Sequence, residues 1–265
     1  MNVKNLSFII VFLWLFASCK SGNDEEVWFE TITLEKTANL SNEELSPKCS
    51  ISLKVQSARQ KKGEAAQNIN EYLVERLFNQ QDVTVEAAAT QFTNAYILNY
   101  KNTLLPLYNQ DRSDTTKRAW YDYHYIITTE TNPGNENTIV YLATIDYYEG
   151  TAHGINQLLT MNFDKKTGRH LALSDIFATG YEQQLTAKLL KALKEKTGSA
   201  DLTELKEKGY LNSMDMFPAE NFIIGEETLT FIYNPYEIAP YNMGMTELII
   251  PYSDIEKILK TTFEY

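Results

Sequence analysis

The chain carries only three histidines, His124, His153 and His170, and their spacing limits the chemistry to consider. No two of them stand at a helical metal-binding interval, and HExxH is absent, so no metal site is expected. GxSxG, GxGxxG and a Walker loop are also missing, which removes the signatures of serine hydrolases and phosphate-cradling enzymes. No catalytic residue is assigned and no cofactor is expected. His153 lies in "EGTAHG", a glycine-flanked connection between two strand-like runs. An imidazole there can contact a ligand or bond to the backbone of its own turn. Asp146 and Glu149 flank Tyr147 and Tyr148 just before it. Two carboxylates about 5 to 9 Å apart across a cleft would suit glycoside hydrolysis. In a chain with 35 acidic residues a solvated strand end is the expected reading. His124 falls mid-strand and is expected to be partly buried, whereas His170 follows a glycine turn and is expected to face solvent.

A second group lies near the C-terminus, where three prolines are each followed by tyrosine: Pro235-Tyr236, Pro240-Tyr241 and Pro251-Tyr252. Proline presets turns and is unwelcome inside a central strand. The stretch therefore predicts a structural corner in which each tyrosine packs its ring on the sheet and its hydroxyl reaches backbone or water. Tyr236, Tyr241 and Glu237, with Asn242, are candidate contacts at its rim. Elsewhere "WYDYHYI" puts Tyr121, Tyr123 and Tyr125 on one strand face. Exposed, such a row would stack on sugars; covered, it is core, and core is the expectation because an antiparallel sheet buries one face.

The elements that must position these residues follow from periodicity. Residues 27–37 and 49–58 alternate as strands, and residues 63–78 carry Ile69, Tyr72, Leu73 and Leu77 at helical spacing. A second helix starts at the cap Thr84 and is expected to stop at Pro106. Strands over 118–131, 138–150 and 155–164, joined by "NPGNEN" and "TAHG", predict an antiparallel meander. A helix over 181–196 ends at Gly198, and a short helix follows near 201–209. Strand, turn and strand over 222–235, a last strand over 245–252, and a helix capped by Ser253 with Glu256 complete the chain. Strands and helices are segregated, which predicts an α+β fold: an antiparallel meander with helices, then a second, smaller α+β unit. The division expected is 27–178 and 179–265, after a leader over 1–18 and an acidic tether over 19–26.

That leader has Lys4, an apolar run over 6–16 and small residues before Cys19. The run is shorter than the roughly 20 apolar residues that span a bilayer as a helix. It resembles a lipoprotein signal with Phe16 where leucine is usual, and the resemblance implies a lipid on Cys19 that anchors the protein to the membrane. The acids Asp24, Glu25 and Glu26 resemble the export tag of Bacteroidetes-type lipoproteins, implying the outer face of the outer membrane; the periplasmic face is the alternative. Loss of Lys4 with the leader leaves 23 basic and 35 acidic residues, a net charge of -12. Nucleic acid is not a partner for such a chain, whereas a basic protein would be attracted to it. Cys49, the one remaining cysteine, has no partner for a disulfide.

The stretch "EGTAHGINQLLTMNFDKKTGRHLALSDIF", together with "LTFIYNPYEIAPYNMGMTELIIPYSDI", resembles the paired extracellular domains of RsiV-type anti-sigma factors and of some peptidoglycan deacetylases. Both domains are of unknown function. The resemblance, over roughly 45–262, implies a two-part α+β ectodomain outside the cell. In RsiV-type members this region binds lysozyme, a basic protein. The sequence has no sigma-binding segment and no deacetylase domain, so neither output carries over. The expectation is an envelope binding module for a lysozyme-like basic protein or a cell-wall glycan. The alternatives are a glycan-active enzyme using Asp146, Glu149 and His153, and an accessory subunit of a surface complex.

Overall fold

The computed structural model describes residues 24–265. Cys19 and the leader lie outside the described residues. Strands β1 (Trp28–Asn39) and β2 (Lys48–Arg59) form a long antiparallel hairpin. Its inward positions alternate as the sequence does: Cys49, Ile51, Leu53 and Val55 are all buried. Helices α1 (Ala65–Phe78) and α2 (Val85–Asp111) follow, then a 3-10 turn (Thr115–Tyr121). Strands β3 (Tyr123–Pro133), β4 (Thr138–Glu149) and β5 (Ile155–Asp164) complete a sheet of order β1-β2-β3-β4-β5.

The β3-β4-β5 meander is antiparallel, as expected, but β3 joins β2 in parallel, so the sheet is mixed. The cause is the connection. Residues 60–122 carry two helices, and a crossover of that length returns the chain to the sheet in the same direction. Both helices cover one face, where α2 packs on β1 and β2 and α1 packs on β2.

Helix α2 runs through Pro106 instead of stopping there. The ring removes one backbone bond, but Leu104 and Tyr108 on either side are buried in the core, and the Tyr108 hydroxyl bonds Glu43 at 3.2 Å. Residues 118–121 are a 3-10 turn and not strand. Asp114 caps the turn through Thr116 N–H, and the buried Tyr121 donates its hydroxyl to Asp111 at 2.8 Å. Tyr123 and Tyr125 face α2, where they pack on Tyr100, Tyr96 and Phe92, so the tyrosine row is core.

The second unit contains α3 (Leu173–Ile176), α4 (Glu182–Thr197), α5 (Leu202–Glu207) and the sheet β6 (Phe222–Ile224), β7 (Thr228–Tyr233) and β8 (Thr246–Pro251). Leu185, Leu189 and Leu193 of α4 are fully buried against this sheet, and Gly198 caps the helix with φ 62. Leu173, Ile176 and Phe177 belong to the same core. The last helix is shorter than expected. It begins at Tyr252 with Pro251 as its cap, not Ser253, and α6 (Tyr252–Ile255) passes into a 3-10 turn (Glu256–Ile258). Two bonds interrupt it: Ala178 N–H to Ile258 O and Lys260 N–H to Ile176 O pull the chain into an extended bridge. The architecture is α+β throughout. Among the described residues no helix is long and apolar enough to cross a membrane.

Candidate functional site at the junction of the two sheets

The two sheets meet along β5, whose outer edge is closed at Leu158 and Thr160 by asparagine side chains in place of a strand, and near Phe163 by a backbone bridge to His170. Asn234 accepts from Leu158 N–H at 2.8 Å and donates to Leu158 C=O at 3.0 Å. Asn221 accepts from Thr160 N–H at 2.6 Å and donates to the same Leu158 carbonyl at 2.8 Å. Asn162 donates to Phe222 C=O and accepts from Ile224 N–H. Each amide satisfies a donor and an acceptor that burial would otherwise leave unpaired.

This seam brings the β4–β5 connection against the loop after β7. Gly150 makes the connection possible: its φ is 71, and a Cβ there would collide with the Trp120 carbonyl. His153 then stacks on Tyr241 with centroids 3.9 Å apart and planes at 15°. Its Nδ1 lies 2.9 Å from Gly154 O, which places the proton on that nitrogen. Nε2 is thereby left to accept from the Tyr236 hydroxyl at 2.8 Å. Tyr236 has φ 75, a left-handed conformation that tyrosine adopts at a cost of about 1–2 kcal/mol. The turn holds it there: Tyr236 N–H bonds Ala239 O, and the Glu237 carboxylate accepts from Asn234 N–H at 2.7 Å. Burial raises the pKa of Glu237 above the usual carboxylate value, partly opposed by that bond. Glu237 is thus a brace of the turn.

Of the predicted candidates, His153, Tyr236 and Tyr241 converge. The three rings form a cluster whose outermost member, Tyr236, is 56% exposed. This corrects the expectation that each Pro-Tyr pair buries its ring. Only Tyr252 does so, at 2% exposure with its hydroxyl on Gly225 O.

Asp146 and Glu149 do not converge. They stand three apart on a regular strand and project to opposite faces. Asp146 is on the open face, 2.8 Å from His124 Nε2 and 3.3 Å from Asn156 Nδ2, with Tyr148 stacked beside His124. Glu149 is on the helix-covered face and accepts from Tyr96 at 2.6 Å, while Tyr147 stacks on Tyr125. Burial, reinforced by Glu149, pushes the Tyr96 hydroxyl well above the ordinary phenol range, so it stays a donor. The paired-carboxylate arrangement is therefore not present at these positions.

His170 also departs from expectation: it packs against Tyr72 at 4.1 Å and the edge of Phe163 instead of facing solvent. Burial lowers its pKa to about 4. Cys49 is fully buried, and burial pushes its thiol up to about 11, which leaves it unreactive. No group of three or more metal-ligating side chains occurs among the described residues. Sequence reasoning missed Asn221 and Asn234; His124 is partly buried in a strand as expected, but its bond to Asp146 was not foreseen. Only the turn-forming Asn-Pro at 234–235 offered a signal, and it pointed to a turn and not to a bridge between sheets.

Residues 174–253 match a family described as a protein of unknown function, DUF3298. The match takes in Tyr236 and Tyr241 but stops short of His153. Among solved structures, a member of that family from Bacteroides fragilis is 28% identical, with a TM-score of 0.84 over 90% of this chain and 96% of that one. A DUF3298 family protein from Pseudomonas aeruginosa PAO1 is 16% identical, with a TM-score of 0.57 over 90% and 97%, and shares the fold. No curated protein matches the sequence. Residues 174–253 thus match the model of a family of unknown function, DUF3298, and the two-sheet architecture of the whole chain is similar to solved structures of that family.

Proposed function

We propose that the protein is an outward-facing envelope lipoprotein, anchored through Cys19, whose folded part binds a lysozyme-like basic protein or a cell-wall glycan without turning it over. The observation that carries this reading is the separation of functions at the end of β4. The acids needed for glycoside hydrolysis are split between two faces and engaged by Tyr96 and His124, while an aromatic cluster built from one loop of each sheet turns its outermost ring, Tyr236, to solvent. Exposed rings beside hydrogen-bonding groups suit recognition of a pyranose or of a partner's side chains. The resemblance to RsiV-type ectodomains and the net charge of -12 support the basic-protein reading.

The test is titration of the purified full chain with lysozyme and, separately, with peptidoglycan fragments, while product release is followed. Saturable binding without turnover is expected. Association with lysozyme should weaken between low and physiological salt, where the Debye length shrinks to about 8 Å. Glycan binding should be insensitive to salt and fall about tenfold in Tyr241→Ala. Turnover of the glycan, or binding to neither, would overturn the reading.

A further inference from the structure

The five-stranded sheet finishes its two edges differently. At β5, asparagine side chains occupy the outward backbone groups of Leu158 and Thr160, and the backbone of residues 169–171 those near Phe163. At β1, all twelve residues from Trp28 to Asn39 pair with β2 in one unbroken register, and among the described residues nothing bonds the other side of the strand. Long open edges are normally blunted by proline, a bulge or an outward lysine. β1 has no proline and no bulge; of its three charged residues, Lys36 is tied back to Asn94 of its own α2 at 2.7 Å and Glu30 to Arg59 of β2 at 3.0 Å, which leaves Glu35.

We infer that β1 is the interface of a two-fold dimer, pairing antiparallel with β1 of a second copy about Thr33. In that register Ile32 faces the partner's Leu34, and both are half-buried side chains on the helix side of the sheet. Glu30 faces the partner's Lys36; Glu30 also holds Arg59 at 3.0 Å and Lys36 also holds Asn94 at 2.7 Å in their own chain, so the two opposite-charge pairs that flank the apolar centre add to those bonds. On the other face Thr33 meets Thr33 and Thr31 meets Glu35, with no like charges opposed. Neighbouring registers are poorer: an axis at Ile32 sets Glu30 against Leu34, one at Leu34 sets Lys36 against Ile32, and one at Glu35 opposes two glutamates. The contact is self-complementary and closes on itself, as a two-fold interface must. It would join two five-stranded sheets into one. It does not depend on the ligand proposed above.

The test uses the full chain in detergent micelles. Sedimentation should show a concentration-dependent dimer. Under mild oxidation Thr33→Cys should cross-link to itself, because directly opposed β-carbons lie about 4.5–5.5 Å apart. Thr31→Cys alone should not, but an equimolar mixture of Thr31→Cys and Glu35→Cys should. The parent chain measures any background from Cys19. Lys36→Glu should weaken the dimer at least tenfold by opposing two acids, and Glu30→Lys with Lys36→Glu should restore it. Thr33 and Lys36 are exposed, so these variants keep their core. A monomer at every concentration, or Thr33→Cys cross-linking no faster than Thr31→Cys, would overturn the inference and assign the edge to a strand from some other chain.

Discussion

Two histidine–tyrosine stacks in this protein have nearly the same geometry and opposite settings. His170 lies on Tyr72 at 4.1 Å and 10°, and His153 lies on Tyr241 at 3.9 Å and 15°. The first is enclosed by Phe163 and α1, and its imidazole is held neutral by burial. The second sits between two loops, with both ring nitrogens hydrogen-bonded and an exposed tyrosine above it. Stacking itself therefore does not mark a site. What separates the two is whether the surrounding polar groups are spent on the fold or remain at the surface. The Pro-Tyr pairs divide in the same way, with Tyr252 in the core and Tyr236 outside it.

The largest expected effect is at the structural pole. Tyr252→Ala removes a buried ring, its hydroxyl bond to Gly225 O, and contacts with Phe263 and Tyr265. It should cost about 3–5 kcal/mol in chemical denaturation. A loss below about 1 kcal/mol would mean that the corner is not what holds β8 to the last helix.

The His170 stack gives the next effect, and its sign follows from the pKa. The folded imidazole titrates near 4 and the unfolded one near 6.5. Above pH 6.5 both are neutral and the stabilisation is complete. As pH falls from 6.5 to 4 the unfolded chain takes up a proton that the folded one refuses, so stability declines, by at most about 3 kcal/mol. Below 4 this contribution is flat. His170→Phe should keep the stack and abolish the slope in that window, as read from denaturation midpoints against pH. A slope that persists would place its origin in other groups.

Much of this division lay beyond the sequence, for physical reasons. Short-range periodicity was legible: Ile51, Leu53 and Val55 alternate inward, and Leu185, Leu189 and Leu193 line one helical face. Those patterns report local geometry under one-sided burial. The parallel pairing of β2 with β3 was not legible, because it depends on how two helices fold back across the sheet. Pro106 misled for the same reason, since tertiary packing outweighs one missing backbone bond. At the site, His153, Tyr236 and Tyr241 were recognisable as candidates by their loops, yet the contact that unites them spans 83 positions. The alternative that paired Asp146 with Glu149 could have been set aside from the sequence itself, because strand alternation sends positions three apart to opposite faces.

Replacing Tyr236 should change stability least. Tyr236 occupies a left-handed conformation at φ 75, where glycine would sit without strain. Tyr236→Gly relieves about 1–2 kcal/mol of backbone strain. It also loses the hydroxyl bond to His153, worth about 0.5–1.5 kcal/mol at an exposed position. These effects oppose each other, so stability should stay within about 1 kcal/mol of the parent. Tyr236→Ala keeps the strain and loses the same bond, so it should be about 1 kcal/mol less stable than the glycine variant. If the cluster is a recognition surface, both variants should lose ligand affinity to a similar extent despite their different stabilities. If Tyr236→Gly instead unfolds as readily as Tyr252→Ala, the ring is a structural anchor and the two stacks do the same job. Parallel melting and binding measurements on the three variants decide between these outcomes.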